Sequence, residues 1–299
     1  MNHNDALAGA LVADAAGMGL HWLYDQDQIQ TIRKSGDIMF RQPDAANFKD
    51  KRGYFAHAAH RTGELSHYGE SARIVGQIAA DGQYDTNLHR ERFFEAFGPC
   101  GHYSGYADRP TKVLVARMIV EGDDLKEPSG MDDNQMPAIC VVPGLFAHGY
   151  SADVVSDAAQ VLSTNADVVA GARAVHQCLQ LVAEGRPLSE ALSVSASVIE
   201  GDVGQLMRDA LAIEAYEPVE TAKRFGLACY IDHSLPVVWY LLNNADDFES
   251  VVRDNILCGG DNCGRSMALG AIAGLAFGVP ESLIKQMAGG RVPITQREQ

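Results

Sequence analysis

The sequence predicts an all-α fold, and three observations carry that prediction. Apolar residues recur at helical spacing wherever a pattern can be counted, no alternating strand pattern of useful length appears, and most connectors between periodic stretches are short. With 299 residues, 46% hydrophobic and 21% charged, the chain has the composition of a globular protein with a sizeable core. Aromatic residues make up only 7% while Gly and Ala are abundant, which predicts close helix-on-helix packing through small side chains. Neither composition nor linkers mark a boundary and no internal repeat is visible, so residues 1–299 read as one domain and not as a solenoid.

Leu7, Leu11, Ala15 and Met18 share one face of a first helix. From Asp25 to Gly63 the chain is polar, rich in turn formers and poorly periodic, which predicts a long loop that is functional or partly disordered. Ile74, Val75 and Ile78 mark a helix behind Ser66-His67-Tyr68-Gly69-Glu70-Ser71, and a second irregular stretch runs from about Glu121 to Asn134. Val154, Ala158, Val161 and Leu162 precede the longest clean stripe, Val168, Ala172, Val175, Leu179 and Val182. A helix carrying Leu188, Ala191, Leu192, Val198 and Ile199 follows Pro187, which suits a first turn. Val203, Leu206, Met207, Ala210 and Leu211 come next, with Asp202 as the expected N-cap. Tyr230, Leu235, Val238 and Trp239 read as core or cleft wall. Phe248, Val251, Val252 and Ile256 end at Cys258-Gly259-Gly260, and a final helix is expected from Asp261 to about Ala276.

A formal charge of −15 argues against a nucleic-acid backbone as partner, because phosphate backbones need clustered Lys and Arg. A single diphosphate stays admissible, since backbone amides at helix starts can hold one without a basic surface. The six cysteines show no CxxC pair, the chain opens on a helical pattern and not a signal peptide, and no apolar run approaches a membrane span of roughly 18 residues. Free thiols, a cytoplasmic location and no membrane partner are the expectation.

Four segments place polar groups beside glycine at helix edges. Asp14 lies in an otherwise apolar helix that ends at Gly17 and Gly19 before His21, and a buried acid there must be paired, hydrogen-bonded or protonated. Glu70 stands near a helix start, where the dipole favours an acid whatever its function. Asp133-Asn134-Gln135 precedes Met136-Pro137 as a cap or a ligand-binding loop. Gly259-Gly260 before Asp261 lets the backbone approach a ligand closely, or is a C-cap followed by an N-cap. Arg265, one turn on, meets a phosphate or pairs with a nearby acid. His60, His67 and His233 lack metal-ligand spacing and read as surface or capping groups, and Cys258 and Cys263 read as small buried hydrophobes.

In this order and spacing the segments resemble the ADP-ribosylglycohydrolase family over nearly the whole chain, from Gly9-Ala10-Leu11 to Gly270-Ala271-Ile272-Ala273-Gly274. The most specific part is Gly259-Gly260-Asp261 with its small-residue helix, supported by Asp14-Ala15-Ala16-Gly17-Met18. The resemblance implies a single-domain orthogonal multi-helix bundle around a central cleft. Typical members hold two Mg²⁺ ions there and hydrolyse ADP-ribose adducts. Counted back from Ala72, Tyr68, Gly69, Glu70 and Ser71 stand where such members have Thr-Asp-Asp-Thr. Asp261, Asn262, Cys263 and Gly264 stand for Asp-x-Asp-Thr, and His21 stands for a glutamate after the first glycines. Gly69 has no side chain and Cys263 is a soft ligand, so the pattern is similar to the divergent branch that includes J1-type crystallins. It implies at most one Mg²⁺, held by Asp261 and Glu70, and no cofactor that is required.

Two readings follow. The first is a glycosyl hydrolase cleaving an N- or O-glycosidic bond of an ADP-ribosyl or related ribosyl adduct, on a small-molecule or ADP-ribosylated substrate. Glu70 and Asp261 would be its acid and base, His21 its proton carrier, and Asp14, Tyr68, Asp133, Asn134, Gln135, Asn262, Cys263 and Arg265 its ligand-binding groups. The second is a non-catalytic, crystallin-like structural or ligand-binding pseudoenzyme on the same fold. Oligomeric state is left open by the sequence.

Overall fold

Two helices with no polar face form the middle of the molecule. In the computed structural model, which describes residues 2–293, helix α1 (Asn4–Gly17) is buried continuously from Ala6 to Gly17. The late helix Asn262–Phe277 is buried from Asn262 to Leu275. A helix apolar on all sides is stable only when other helices surround it. The two run against each other at backbone contact: a Cβ on Gly9 would lie 2.1 Å from the carbonyl oxygen of Gly270, and one on Gly274 would lie 2.3 Å from that of Asp5. Only glycine permits that approach, and the approach brings the C-terminal end of one helix beside the N-terminal end of the other.

The remaining helices wrap this pair. In chain order they are α2 (Gln26–Ser35), α3 (His67–Ala80), α4 (Thr86–Phe97), α5 (Arg109–Glu121), α6 (Val141–Ala147), α7 (Ala152–Ala159) and α8 (Ala166–Ala183). Then come α9 (Leu188–Ser197), α10 (Gly201–Leu211), α11 (Pro218–Phe225), α12 (Ile231–Asn243), α13 (Phe248–Cys258), the late helix as α14, and the short α15 (Glu281–Ile284). Helices α3, α8, α12 and α13 all touch α14. Helix α6 packs on α3 through another glycine contact, where a Cβ on Gly144 would lie 2.7 Å from the Cα of Gly76. Among the described residues the extended pairings are isolated bridges only, Leu23 with Gly53, Met131 with Ser163 and Gln135 with Tyr230. Among the described residues no helix is long and apolar enough to cross a membrane.

Two expectations need correcting, and two helices had none. The stretch 25–63 is not wholly irregular, because it contains α2. That helix buries only Gln26, Ile29 and Ile32, too few apolar positions to show a period, and it is started by Asp25, whose carboxylate accepts from Gln28 N at 2.9 Å. Helix α10 begins at Gly201 with Glu200 as N-cap, so Asp202 lies inside the first turn, where the dipole favours it without capping. Helices α4 and α5, capped by Asp85 and Asp108, have few buried positions and left no stripe to count. The long stripe of Val168 to Val182 does lie on one buried face of α8.

Candidate active site

The starts of α3, α5 and α14 converge on the end of α1. The late Gly-Gly makes this possible: Gly259 and Gly260 adopt φ of 74° and 67°, left-handed values that suit glycine, and turn the chain back after α13. Asp261 follows as the N-cap residue of α14, with its side chain directed at neighbouring donors and away from its own helix. The carboxylate is fully buried and accepts three side-chain hydrogen bonds. Trp22 Nε1 donates to Oδ1 at 3.0 Å, His21 Nε2 donates to Oδ1 at 2.9 Å, and the Tyr68 hydroxyl donates to Oδ2 at 3.3 Å.

Trp22 reaches this position in a left-handed backbone conformation, φ 62°, unusual for a bulky residue and held only where surroundings impose it. They do so here: Trp22 N donates to Gly260 O at 2.8 Å, and Tyr54 N donates to Trp22 O at 3.0 Å.

The donor pattern fixes the tautomers. A carboxylate only accepts, so His21 carries its proton on Nε2 and presents a lone pair at Nδ1. That lone pair lies 2.7 Å from His57 Nε2, which therefore donates, leaving His57 Nδ1 as a bare acceptor without a partner. Beyond it stands His67, fully buried, with neither ring nitrogen hydrogen-bonded and Nε2 3.7 Å from Asp108 Oδ2. Burial lowers the proton affinity of His21, which Asp261 only partly restores. Burial, then the charges of neighbouring histidines, holds His57 and His67 well below the ordinary imidazole range, with Lys112 adding to the effect on His67. At neutral pH this is a row of uncharged imidazoles. Burial, then the charge of Asp261, holds the Tyr68 hydroxyl far above its ordinary value, so it stays protonated and donates. His67 was expected at the surface or as a cap; the structure puts it at the centre because it occupies the first position of α3, facing α5.

The second acid, Asp14, accepts from Ser66 N at 2.8 Å and Ser66 Oγ at 2.5 Å. It thereby anchors the N-cap residue of α3. Burial pushes its carboxyl up to about 7, against the lowering effect of those hydrogen bonds. Asp108 is similar, capping α5 through Thr111 N and Oγ1 at 2.8 and 2.9 Å, and burial raises it to about 6.

Ser66 is the N-cap of α3 and His67, Tyr68 and Gly69 form the first turn, so Ser66 and Tyr68 reach the acids. Glu70 points elsewhere: Arg73 Nε and Nη2 donate to its two oxygens at 2.8 and 2.5 Å, and His102 Nε2 lies 2.8 Å from Oε1. Burial works to raise the Glu70 carboxyl, but Arg73 and then His102 outweigh it and hold it below the ordinary range. Glu70 lines a separate cavity of about 400 Å³ with Arg73, His102 and Met287. It shares no hydrogen-bond partner with Asp261.

The other expected site residues divide similarly. Asn262 donates from Nδ2 to Gly17 O at 3.1 Å, and Cys263 Sγ lies 3.6 Å from Asp14 O, so both stitch α14 to α1. Burial raises the Cys263 thiol well above its usual value and that of Cys258 to about 12, which makes both inert buried groups. Arg265 meets no acid and no opening: its guanidinium is fully buried and donates to Asn255 Oδ1, Asn255 O and Gly259 O, closing the C-terminus of α13. Asp133 is buried near the start of α5, with Oδ2 3.8 Å from Arg109 Nη1, while Asn134 is exposed and Gln135 half-buried. Tyr106 packs edge-on to Trp22 at 4.7 Å and Tyr54, 56% exposed, lies 5.9 Å from both. Sequence reading missed Trp22, His57, His67, Tyr106 and Asp108; the one local signal was Asp108 before Arg109-Pro110, a helix-start pattern.

A family model for ADP-ribosylglycohydrolase matches residues 4–297. The chain belongs to the ADP-ribosylglycohydrolase family. Crystallin J1A of Tripedalia cystophora is 21% identical over 312 residues, a match covering 98% of this chain and 94% of that protein. A solved structure described as an ADP-ribosylglycohydrolase-related protein complex superposes with a TM-score of 0.67 at 13% identity, covering 97% of this chain and 94% of the other. That likeness shows the ADP-ribosylglycohydrolase fold.

The residues at this family's usual metal position do not fit a magnesium pair. Mg²⁺ needs an octahedron of oxygens with free carboxylates. Here both oxygens of Asp261 already accept from nitrogen and hydroxyl donors, and those of Asp14 accept from Ser66. The space where further ligands would stand is filled by the acids themselves. A Cβ on Gly69 would lie 2.3 Å from Asp14 Oδ2, and one on Gly264 would lie 2.0 Å from Asp261 Oδ2. Among the described residues no three His, Cys, Asp or Glu side chains are disposed to hold an ion.

Proposed function

We propose that this family member is a glycosyl hydrolase that cleaves an N- or O-glycosidic bond of an ADP-ribosyl or related ribosyl adduct, with Asp261, His21 and His57 as its proton-handling line. The observation that carries the reading is the unbroken buried sequence of hydrogen bonds from Asp261 through His21 to His57, ending in an unpartnered acceptor nitrogen. Such a line positions a base and disperses the charge it acquires. In the proposed step a water oxygen bonds to the anomeric carbon as the glycosidic bond breaks, its electron pair leaving with the nitrogen or oxygen of the aglycone. The water's proton passes to His57 Nδ1 and the His57 Nε2 proton to His21 Nδ1, and the Asp261 carboxylate stabilises the imidazolium formed at His21. The line then returns a proton to the leaving group. Asp261, partnered by Trp22 and Tyr68, balances the positive charge that develops on the sugar. Because His21, Tyr68 and Asp261 are covered, the substrate enters by displacing the two loops that carry Tyr54 and Tyr106, before α3 and before α5.

Asp261→Asn and His21→Asn, assayed on a panel of ADP-ribosylated and ribosylated substrates, should each lose at least about 100-fold in kcat while the thermal midpoint stays within a few degrees. An unchanged rate in both would remove the line from the mechanism. The likeness to crystallin J1A favours a second reading, a pseudoenzyme that keeps the centre for stability alone. It requires that the wild-type protein release nothing from that panel with or without Mg²⁺, and any turnover well above the uncatalysed rate ends it.

A further inference from the structure

We infer that the centre recognises an uncharged sugar through its hydroxyl groups, and that a phosphate-free riboside, not a diphosphate, is the part of the substrate it binds. The inference rests on the hydrolase reading for its location but concerns binding alone. Its first support is the set of unsatisfied groups: His57 Nδ1 is a bare acceptor, and neutral His67 offers one acceptor and one donor, all buried. Buried polar atoms without partners cost free energy and call for a ligand or ordered water. A sugar hydroxyl, donor and acceptor at once, matches both histidines. A phosphate brings acceptors only, and would leave His57 Nδ1 facing another lone pair.

The second support is charge. Asp14, Asp108, Asp133 and Asp261 outnumber the cations near the centre, which are Arg109, Lys112 and Arg265, the last with its Nη1 buried and without a partner. Arg265 is sealed against α13, Arg109 faces Asp133 at 3.8 Å, and Lys112 sits over the Tyr106 ring at 4.4 Å. The third is the backbone. Anions bind helix starts through free amides, but Ser66 Oγ takes Tyr68 N in α3 and Asp108 takes Thr111 N in α5, while at the start of α14, which no side chain caps, the Asp261 carboxylate itself stands against Gly264 of the first turn. The aromatic edge formed by Trp22, Tyr106 and Tyr54 suits a planar aglycone by stacking.

Isothermal titration of the full chain with adenosine, methyl β-D-ribofuranoside and ADP-ribose tests this directly. Adenosine should bind at least as tightly as ADP-ribose, and His57→Phe should weaken adenosine binding about tenfold or more. ADP-ribose binding about tenfold tighter than adenosine overturns the inference, as does failure of both phosphate-free compounds to bind at millimolar concentration. Unchanged adenosine affinity in a folded His57→Phe protein also overturns it; should that variant not fold, the wild-type comparison decides. Binding of adenosine without hydrolysis of any glycoside would keep this inference and sink the hydrolase reading. Hydrolysis confined to ADP-ribosylated substrates would do the reverse.

Discussion

Two acidic clusters lie on either side of the first turn of α3, and they hold their charges by different means. At the centre, Asp14 and Asp261 are surrounded by neutral donors, namely Ser66, Trp22, His21 and Tyr68. In the neighbouring cavity Glu70 is held by Arg73 and His102, whose side chains are 19% and 57% exposed. Neutral donors satisfy hydrogen bonds without cancelling the cost of burying a charge, so Asp14 rises to about 7 while Glu70 falls below its usual value. The first arrangement keeps protons available inside the protein. The second stores an ion pair at its edge.

The largest effect should come from adding one methyl group to the first cluster. In Gly264→Ala the new carbon would stand 2.0 Å from Asp261 Oδ2, so the carboxylate must leave its three donors. A loss of about 3 kcal/mol or more is expected in chemical denaturation, overpacking compounded by unmade buried hydrogen bonds. A loss under about 1 kcal/mol would show that the carboxylate is not fixed there.

The pH dependence should next separate the clusters by sign. Asp14 has its affinity for a proton raised on folding, from 3.8 to about 7, so its contribution is complete below pH 4 and fades as pH rises to 7. Asp14→Asn should flatten that decline, by on the order of 2 to 4 kcal/mol over the interval. Glu70 is lowered on folding, so its contribution is present above pH 4.5 and fades as pH falls through the folded value. Glu70→Gln should therefore flatten the acid limb, cost about 1 kcal/mol at pH 7, and leave turnover unchanged. Stability curves of the two variants bending the same way would erase the contrast.

The smallest effect should be His102→Asn, which removes a mostly exposed partner of Glu70 and should shift stability by no more than about 0.5 kcal/mol. A larger change would mean that the second cluster carries more structural weight than its exposure suggests.

Much of the fold was legible because period and small-residue content are local. The α8 stripe, the Gly-rich face of α14 and the Asp14 helix could be read by counting. Helix α2 could not, because its ten residues bury only three side chains and its stability comes from docking. Within the site, Asp14, His21, Tyr68 and Asp261 were marked by sequence. Their partners His57 and Trp22 were not, since a histidine in a polar loop and a tryptophan after glycines carry no spacing signal. Glu70 stands apart from them for a definite reason. Motif counting puts Tyr68 and Glu70 in one helical turn, but positions two apart point about 200° apart, so the two side chains meet different neighbours.

From its sequence alone this chain determined its helical class, its small-residue centre and its likeness to a family, because those depend on composition and on periodicity along one strand of backbone. Tertiary structure alone decided that Asp261 meets Trp22, His21 and Tyr68, that His57 continues the line, and that Glu70 stands apart. Those contacts join residues far apart in the chain. Their existence depends on how closely α1 and α14 pack at Gly9 and Gly270, which sets where every neighbouring helix begins.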